Sequence, residues 1–395
     1  MKIMPKLFKN YRLLTITTFL FGLVLIALIY YYRDLLFRSF NEVFTGKSYK
    51  HEYLKSVDYK IDSQWLKNVN YLRKEKALIP ENWEIVVFAS GLNSPSKIQV
   101  IDNKVLVSEV STGSITVLED SDYDKSADSA FVFDSGLSKP NGLSFYDNDL
   151  YVATETSLLL YKDIVDQILA NQANSEKLVD LPIGGVNNLK DILVVKSGIY
   201  VAIGSSCDFC IEQDKKRASI VYYTFGDLRE EVYATGLRNV KSMINIGPAI
   251  VVSEDSSKDS TNKISDEINV IRKSGFYGWP YYKEDNIPST FSEIYDGVLP
   301  KNLVGPAFKF EYNSNPNGLN YVEADNDGLL YVVFEGLNKV SRMSFINQQS
   351  SMKDFLIVNP EKDSKAPLLK DIKSFRTGFL ISDFGRGIIY FIYPK

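Results

Sequence analysis

The most distinctive reactive side chains in this sequence are Cys207 and Cys210, in the run Ser-Ser-Cys-Asp-Phe-Cys. A zinc site would need two further nitrogen or sulfur ligands, but the chain has no other cysteine and a single histidine. A redox-active pair is typical of a thioredoxin-like βαβ unit, a pattern that the sequence around this pair lacks. We therefore interpret the pair as a short-loop disulfide formed in an oxidising compartment, with two free thiols as the alternative.

The single histidine, His51, restricts the chemistry further, because it precedes the repetitive part of the chain. An imidazole base, a His-ligated metal and a serine–histidine pair are therefore excluded from the repeats. The formal net charge of −4 is mild and no basic face is apparent, which argues against nucleic acid as a partner.

Acidic side chains, with Asn and Ser among them, are concentrated between Glu254 and Glu267. Carboxylate and amide oxygens are the ligands that Ca²⁺ prefers in proteins. The segment therefore predicts a Ca²⁺ site, with an acidic surface loop as the alternative.

A repeat positions these residues. From Trp83 onward, a turn is followed by short alternating apolar strands, and the pattern restarts 45 to 52 residues later, with one longer interval of 76. About four short strands in a period of 40–50 residues is typical of β-propeller blades. The starts are at Gly91, Gly136, Gly184, Gly236, Tyr312 and Asp363.

We therefore predict an all-β fold, a six-bladed β-propeller over residues 81–395. The strand Glu84–Phe88 lacks the other strands of its blade, and the C-terminal strands Phe379–Ser382 and Ile388–Ile392 lack an outer partner. Pairing the N-terminal outer strand with the C-terminal strands would close the ring and leave no open edge.

In a propeller the turn before each innermost strand faces the mouth of the central channel. The register places polar residues there, with several amides and two or three cations, which suits an anionic or polyhydroxylated ligand. The alternative is an ordinary solvated rim. The positions are Asn93, Ser138, Val186, Arg238, Ser314 and Lys365, followed by Ser94, Lys139, Asn187, Asn239, Asn315 and Ala366.

The N-terminus predicts a membrane anchor. Residues 13–32 are uncharged and apolar, long enough to cross a bilayer, and residues 1–12 carry only basic charges, which places them in the cytoplasm. A cleaved signal peptide is the alternative, but no small-residue cleavage site follows. We interpret residues 33–80 as a stalk, with the propeller extracytoplasmic, either periplasmic or at the cell surface.

Several motifs together resemble the soluble pyrroloquinoline quinone (PQQ)-dependent aldose, glucose and sorbosone dehydrogenases. The resemblance spans roughly residues 83–394. It rests on Gly-Leu-Arg-Asn at 236–239, Ser-Glu at 253–254, Asp-Glu-Ile-Asn at 266–269 and Tyr-Gly-Trp-Pro at 277–280, with the segments 181–185 and 200–207 and Cys210.

The resemblance implies a site for PQQ and Ca²⁺ at the channel mouth. It implies cofactor contacts from Arg238 and Asn239, with Asn187 beside them, and more loosely from Lys339 and Lys365. It also implies that carbonyls of Ser256 and Ser257 hold the Ca²⁺ that polarises the quinone, and that Glu267 and the Tyr277 carbonyl hold a structural Ca²⁺.

One position departs from the family pattern. The family has a catalytic histidine after Gly-Gly, and this chain has Val186 there. Asn187 and Asn188 cannot replace it as a base at neutral pH, and Asp191 is the remaining candidate. Three hypotheses follow: a PQQ-dependent sugar dehydrogenase with another base, a non-catalytic propeller that binds a glycan or a protein, and a Ca²⁺-dependent lactonase-like hydrolase using Asn141, Asn187, Asn239 and Asn315.

Overall fold

The computed structural model describes residues 54–69, 72–73, 75–255, 265–283, 287–289, 292, 297–300, 302–323, 328–344, 352–359 and 365–395. No helix within these ranges is long and apolar enough to cross a membrane. The segments 1–12 and 13–32 and the first part of the predicted stalk, including His51, lie outside the described residues.

Six sheets, each with four antiparallel strands, form the blades. Their alternating apolar residues put one face of each sheet against each neighbouring blade. From the channel outwards, the first three blades are Pro95–Ile101, Lys104–Glu109, Ser114–Glu119 and Ser129–Asp134; Gly142–Tyr146, Asp149–Ala153, Ser157–Tyr161 and Glu176–Asp180; and Asp191–Val195, Gly198–Ile203, Ser219–Thr224 and Glu230–Thr235.

The remaining blades follow the same order. They are Val240–Ile246, Ala249–Glu254, Asp266–Ile271 and Phe308–Phe310; Pro316–Val322, Leu329–Phe334, Lys339–Ser344 and Lys353–Asn359; and Leu369–Phe375, Gly378–Asp383, Ile388–Pro394 and Trp83–Ser90. The six-bladed all-β architecture predicted from the repeat is confirmed.

The ring closes as predicted. Trp83–Ser90 pairs antiparallel with Ile388–Pro394, so the sixth blade takes its outer strand from the N-terminal side of the propeller and its other three from the C-terminus. This pairing joins the two ends of the fold by backbone hydrogen bonds and completes the sixth blade.

Residues that the sequence assigned to a stalk also contribute strands. Leu54–Asp58 pairs with Lys76–Pro80, which in turn pairs with the outer strand of the fifth blade, so that blade has six strands. Lys60–Ile61 runs parallel to Trp83–Ser90 in the sixth blade, and the helix Ser63–Val69 follows it.

The interval of 76 residues belongs to the fourth blade. Between its third strand and its outer strand the chain leaves the blade and adds Gly275–Phe276 in parallel to the outer strand of the third blade. A small hairpin follows, with strands Tyr282–Lys283 and Ile287–Pro288. Trp279 and a cis peptide bond to Pro280 lie in this insertion.

Outside the blades, the helix Ile164–Ala170 packs on the second blade and a 3₁₀ turn spans Glu335–Leu337. The core consists of apolar clusters between adjacent blades. Between the fifth and sixth blades, the rings of Trp83, Phe355, Phe379 and Tyr331 have centroids 4.5 to 5.9 Å apart. Such aromatic pairs add stability beyond the area they bury.

Near the channel the innermost strands approach each other closely. A Cβ atom on Gly318 would lie 2.6 Å from Cα of Asp371, and one on Gly142 would lie 2.9 Å from the amide of Ile192. Only glycine allows neighbouring strands to come this close. The close approach sets the width of the channel and places the polar groups described next.

Candidate ligand site at the channel mouth

A buried ion-pair cluster, which we call the plug, crosses the channel. Lys97 of the first blade reaches over it, and its Nζ lies 2.7 Å from the carbonyl oxygen of Lys241 in the fourth blade. The same atom is 3.5 Å from Oδ1 of Asp191 and 3.9 Å from Oδ1 of Asp371. All three charged side chains are at most 6% exposed, so the plug forms the floor of the mouth.

The plug carboxylates also brace neighbouring blades. Oδ2 of Asp191 accepts a hydrogen bond from the Met243 amide at 2.8 Å, and Oδ2 of Asp371 accepts one from the Ile98 amide at 2.9 Å. Burial raises the pKa of Asp191, and Lys97 opposes this rise. Asp191 was the sequence-based candidate for a base. The structure places its carboxylate in the plug, and its role as a base stays a prediction.

The residues immediately before Lys97, Asp191 and Asp371, with the equivalent residues of the other three blades, form what we call the mouth ring. Three of its members are lysines, and two of these contact acidic side chains at the tops of the blades: Lys241 Nζ is 3.4 Å from Oδ2 of Asp255, and Lys370 Nζ is 2.7 Å from Oε2 of Glu335. The ring consists of Ser96, Asn141, Lys190, Lys241, Asn317 and Lys370.

The third lysine, Lys190, is almost fully buried and donates hydrogen bonds to the carbonyl oxygens of Glu155 at 2.6 Å and Asn188 at 3.1 Å. Burial lowers its pKa, and together with the smaller effect of the nearby Arg217 brings it to about 8. The pKa of Lys370 is also lowered by burial. The sequence pattern did not single out these lysines, although they share one register position two or more residues beyond the predicted mouth positions.

Arg238, predicted to contact the cofactor, has a side chain only 4% exposed. Its guanidinium forms an ion pair with Asp208 and donates to the carbonyl oxygen of Asp255 at 3.2 Å. Next to it, Asn239 Nδ2 lies 3.2 Å from Oδ2 of Asp255. The two predicted residues are therefore together at the mouth, and protein carboxylates already hold both.

Asp208 belongs to the loop closed by Cys207 and Cys210, which are disulfide-bonded as predicted. The Asp208 side chain, 55% exposed, reaches Arg238, and its carbonyl oxygen accepts a hydrogen bond from Nε1 of Trp279 at 3.0 Å. The disulfide loop thus lies over the arginine and is fixed to the insertion of the fourth blade.

Val186 and Asn187 lie beside the same loop. The Val186 amide donates to the carbonyl oxygen of Ser206 at 3.1 Å, and Asn187 Nδ2 donates to Oγ of Ser205 at 2.8 Å. The Val186 side chain is 58% exposed. The position at which the family pattern has a base is therefore open to solvent and bears an apolar group.

The two lysines assigned loosely to the cofactor lie at the third strand of the fifth blade and before the first strand of the sixth. Lys339 Nζ is 2.8 Å from Oδ1 of Asp354, on the outer strand of the fifth blade. Lys365 is exposed, and its carbonyl oxygen accepts a hydrogen bond from Nε of Arg386. Their assignment to the cofactor stays a prediction.

The predicted Ca²⁺ ligands are only partly visible. Ser256 and Ser257 lie outside the described residues. Glu267 is buried beside Asn269, whose Nδ2 is 3.3 Å from Oε2 of the glutamate, and Tyr277 is buried in the insertion. Among the amides of the lactonase-like hypothesis, Asn141 accepts a hydrogen bond from Oγ of Ser96 and donates one to the Lys190 carbonyl oxygen, and that hypothesis stays a prediction.

A pocket with a volume of about 240 Å³ lies beside the mouth, on the outer side of the disulfide loop. It is lined mainly by apolar and aromatic atoms, among them Ile211, Phe276, Trp279 and Tyr281. Arg217 at its edge donates to the carbonyl oxygens of Ile183 and Gly184, which fixes the turn before Val186. The cations of the mouth ring do not line this pocket.

Glu254 is fully buried beneath Arg238. Its Oε1 accepts the Arg238 amide at 2.6 Å and its Oε2 accepts Nδ2 of Asn269 at 3.0 Å, yet burial raises its pKa to about 8.

A group whose pKa is raised by folding binds more protons in the folded state, so it stabilises the fold at low pH and this stabilisation is lost as the pH rises. We expect the ionisation of Glu254 to lower the free energy of unfolding as the pH rises from 4.5 to 8. Glu254→Gln is expected to reduce this pH dependence. Urea unfolding of the wild type and of Glu254→Gln at several pH values measures this dependence. If the free energies of unfolding of the two proteins change in parallel with pH, the assignment to Glu254 is contradicted.

No protein-family model matches the chain. A curated protein of Borreliella burgdorferi, described only as uncharacterized, is 24% identical over 280 residues, 64% of this chain and 70% of that protein.

Solved structures share the fold. The PQQ domain of pyranose dehydrogenase from Coprinopsis cinerea has a TM-score of 0.67 at 15% identity, covering 81% of this chain and 97% of that chain. A family AA12 carbohydrate-active enzyme of Trichoderma reesei has a TM-score of 0.66 at 14% identity, covering 89% and 100%. PQQ-bound aldose sugar dehydrogenase from Streptomyces coelicolor has a TM-score of 0.55 at 16% identity, covering 80% and 100%.

Proposed function

We propose that this protein is a PQQ-dependent sugar dehydrogenase-like propeller that binds PQQ and Ca²⁺ at its channel mouth. The observation that carries the proposal is the group of cations at the mouth, the buried Arg238 and Lys190 and the half-buried Lys241 and Lys370, in a fold shared with PQQ-dependent sugar dehydrogenases. PQQ carries three carboxylates, and such cations bind carboxylates by charge-assisted hydrogen bonds.

The residues present fit this cofactor, with one condition. Asp208 and Asp255 neutralise Arg238, and Glu335 neutralises Lys370. An anionic ligand therefore competes with protein carboxylates, and the exposed Asp208 is the easiest of them to displace. The plug fills the channel below these cations, so the residues that would hold the ligand are those of the mouth.

Bound PQQ would supply the two-electron acceptor, and Ca²⁺ would polarise its quinone. Arg238 and Asn239 would orient the cofactor, and Lys190, Lys241 and Lys370 would neutralise its carboxylates. Val186 offers no atom that can take the proton of a sugar hydroxyl. Catalysis therefore needs another base. Val186 thus favours a second candidate function, the non-catalytic binding of a glycan or protein ligand.

We expect ultraviolet–visible titration with PQQ and Ca²⁺ to detect binding, and Arg238→Gln to weaken it about 10- to 100-fold, because hydrogen bonds to charged groups contribute about 1.5–3 kcal/mol. Asp208→Asn removes the competing carboxylate and is expected to strengthen binding. Arg229→Gln, at an exposed arginine of the third blade, is the matched control. Absence of binding to both wild type and Asp208→Asn would reject the cofactor.

We also propose that residues 13–32 anchor the protein in a membrane, with the propeller on the extracytoplasmic side. The disulfide between Cys207 and Cys210 supports an oxidising compartment. Extraction at alkaline pH would leave an anchored protein in the membrane pellet, and thiol labelling of intact cells before and after reduction would test the side. Release by alkali would contradict the anchor.

A further inference from the structure

Three aspartates lie together in a loop far from the mouth. The loop joins the third and fourth strands of the first blade, and its carboxylates from Asp120, Asp122 and Asp124 each place one oxygen within 4.8 Å of the others. The other such group in the described part of the chain contains Cys207 and Cys210, whose sulfur atoms are joined to each other.

Asp120 supplies an independent sign that this cluster takes a ligand. Its side chain is fully buried, and its Oδ2 accepts the Lys125 amide and a guanidinium N–H of Arg376. Its Oδ1 is buried and has no hydrogen-bond partner among the described residues. A buried carboxylate oxygen without a partner is costly, and a bound cation would satisfy it.

The loop has the composition and spacing of a cation-binding turn. Its carboxylates alternate as Asp-x-Asp-x-Asp, the spacing at the start of a Ca²⁺-binding EF-hand loop. The sixth position, where that loop has glycine, is Lys125 with a φ of +83°, the left-handed conformation that the turn requires. The twelfth position is Phe131 instead of glutamate, so the loop lacks the bidentate ligand and is expected to bind weakly.

Nearby charges leave the loop with a negative excess. Arg376 is engaged by Asp120 and stacks on the Tyr123 ring, 4.3 Å from its centroid. Lys125 Nζ lies 4.4 Å from the centroid of the Tyr393 ring. Asp128 accepts hydrogen bonds from Ser121 and the Asp122 amide, and it supports the turn without facing a cation of the protein.

We propose that Asp120, Asp122 and Asp124 form a Ca²⁺ site separate from the channel mouth, which nothing in the proposed function requires. Several carboxylates on a partly exposed loop suit Ca²⁺, which accepts irregular oxygen coordination, better than Mg²⁺. With its reduced ligand set, the site resembles those of extracellular modules, with a Kd of about 10⁻⁴–10⁻³ M.

The position of the loop gives the ion a structural role. Trp65 Nε1 donates to Oγ of Ser126 and Gln64 Nε2 donates to the Ala127 carbonyl oxygen, while Arg376 belongs to the sixth blade. The loop therefore ties the first blade to the closing blade and to the helix Ser63–Val69. Bound Ca²⁺ would stabilise the region where the ring closes.

Terbium luminescence tests the site, because Tyr123 lies between two of the ligands and can transfer energy to a bound Tb³⁺. The full-length protein, stripped of metal with a chelator, is titrated with Tb³⁺ and the emission is competed with Ca²⁺ or Mg²⁺. We expect sensitised emission that Ca²⁺ displaces at about millimolar concentration and Mg²⁺ displaces less well. We also expect about 10 mM Ca²⁺ to raise the melting temperature by a few degrees.

Matched variants locate the ion. Asp122→Asn/Asp124→Asn is expected to lose both the emission and the thermal shift, whereas Asp147→Asn/Asp166→Asn, with the same charge change at exposed sites, keeps both. Tyr123→Phe should weaken the emission, leaving the part that Trp65 and Tyr393 sensitise, and keep the thermal shift. Wild-type Ca²⁺ affinity in Asp122→Asn/Asp124→Asn would overturn the site, and this result does not depend on PQQ.

Discussion

Val186→His is expected to supply the general base that the proposed PQQ-dependent dehydrogenase lacks, raising kcat about 10²–10⁴-fold in the presence of PQQ and Ca²⁺. A positioned general base contributes this much to catalysis, and valine cannot accept a proton. The backbone at this position is fixed, because the Val186 amide is bonded to Ser206 and the preceding Gly184 and Gly185 have φ of 75° and 91°. The side chain is 58% exposed, so a histidine fits without displacing core residues.

Turnover is measured with aldoses and an artificial electron acceptor. The gain should depend on pH, since only the neutral imidazole accepts the proton, and kcat/KM should rise with an apparent pKa near 6.5. Val186→Ala is the matched control, because it removes the exposed valine without adding a base. If Val186→His binds PQQ as wild type does but turns over no faster than Val186→Ala, a missing base at this position is not what limits activity.

The structural features predicted from the sequence are those that depend on residues close together along the chain. The alternation and period of the strands give the blades, the unpartnered strand at 84–88 gives the closure, and the spacing of Cys207 and Cys210 gives the disulfide. The strands Leu54–Asp58 and Lys76–Pro80 escaped notice because they are short, separated by a helix, and complete a blade whose other strands lie far along the chain.

The sequence predicted a polar channel mouth with several cations, but it did not identify the lysines that form the mouth ring. The turn glycines mark where each blade begins, but a variable number of residues separates them from the channel, so the lysines of the mouth ring were missed. Arg238 illustrates the second limit. Its motif predicts a ligand contact, whereas its burial and its ion pair with Asp208 depend on a disulfide loop in another blade. Contacts between blades of this kind leave no local signal.

Lys97→Met is expected to lower the free energy of unfolding by about 3–5 kcal/mol, the usual cost of removing one partner from a buried ion pair. Methionine matches the length of the lysine stem but leaves Asp191 and Asp371 facing each other without their cation. It also leaves the carbonyl oxygen of Lys241 without the donor that now lies 2.7 Å away. Urea unfolding at pH 7 measures the loss.

The carboxylates, and not the lost packing, are the expected cause. The triple variant Lys97→Met/Asp191→Asn/Asp371→Asn removes both buried negative charges. Each new asparagine keeps an oxygen that can accept the hydrogen bond from the Met243 or the Ile98 amide. We therefore expect the triple variant to recover most of the stability. If the triple variant is no more stable than Lys97→Met, the lysine acts by filling space. The plug is the floor of the mouth ring, and Lys97 contacts the Lys241 carbonyl oxygen. If the triple variant recovers stability but not PQQ binding, Lys97 also supports the site through the backbone of Lys241.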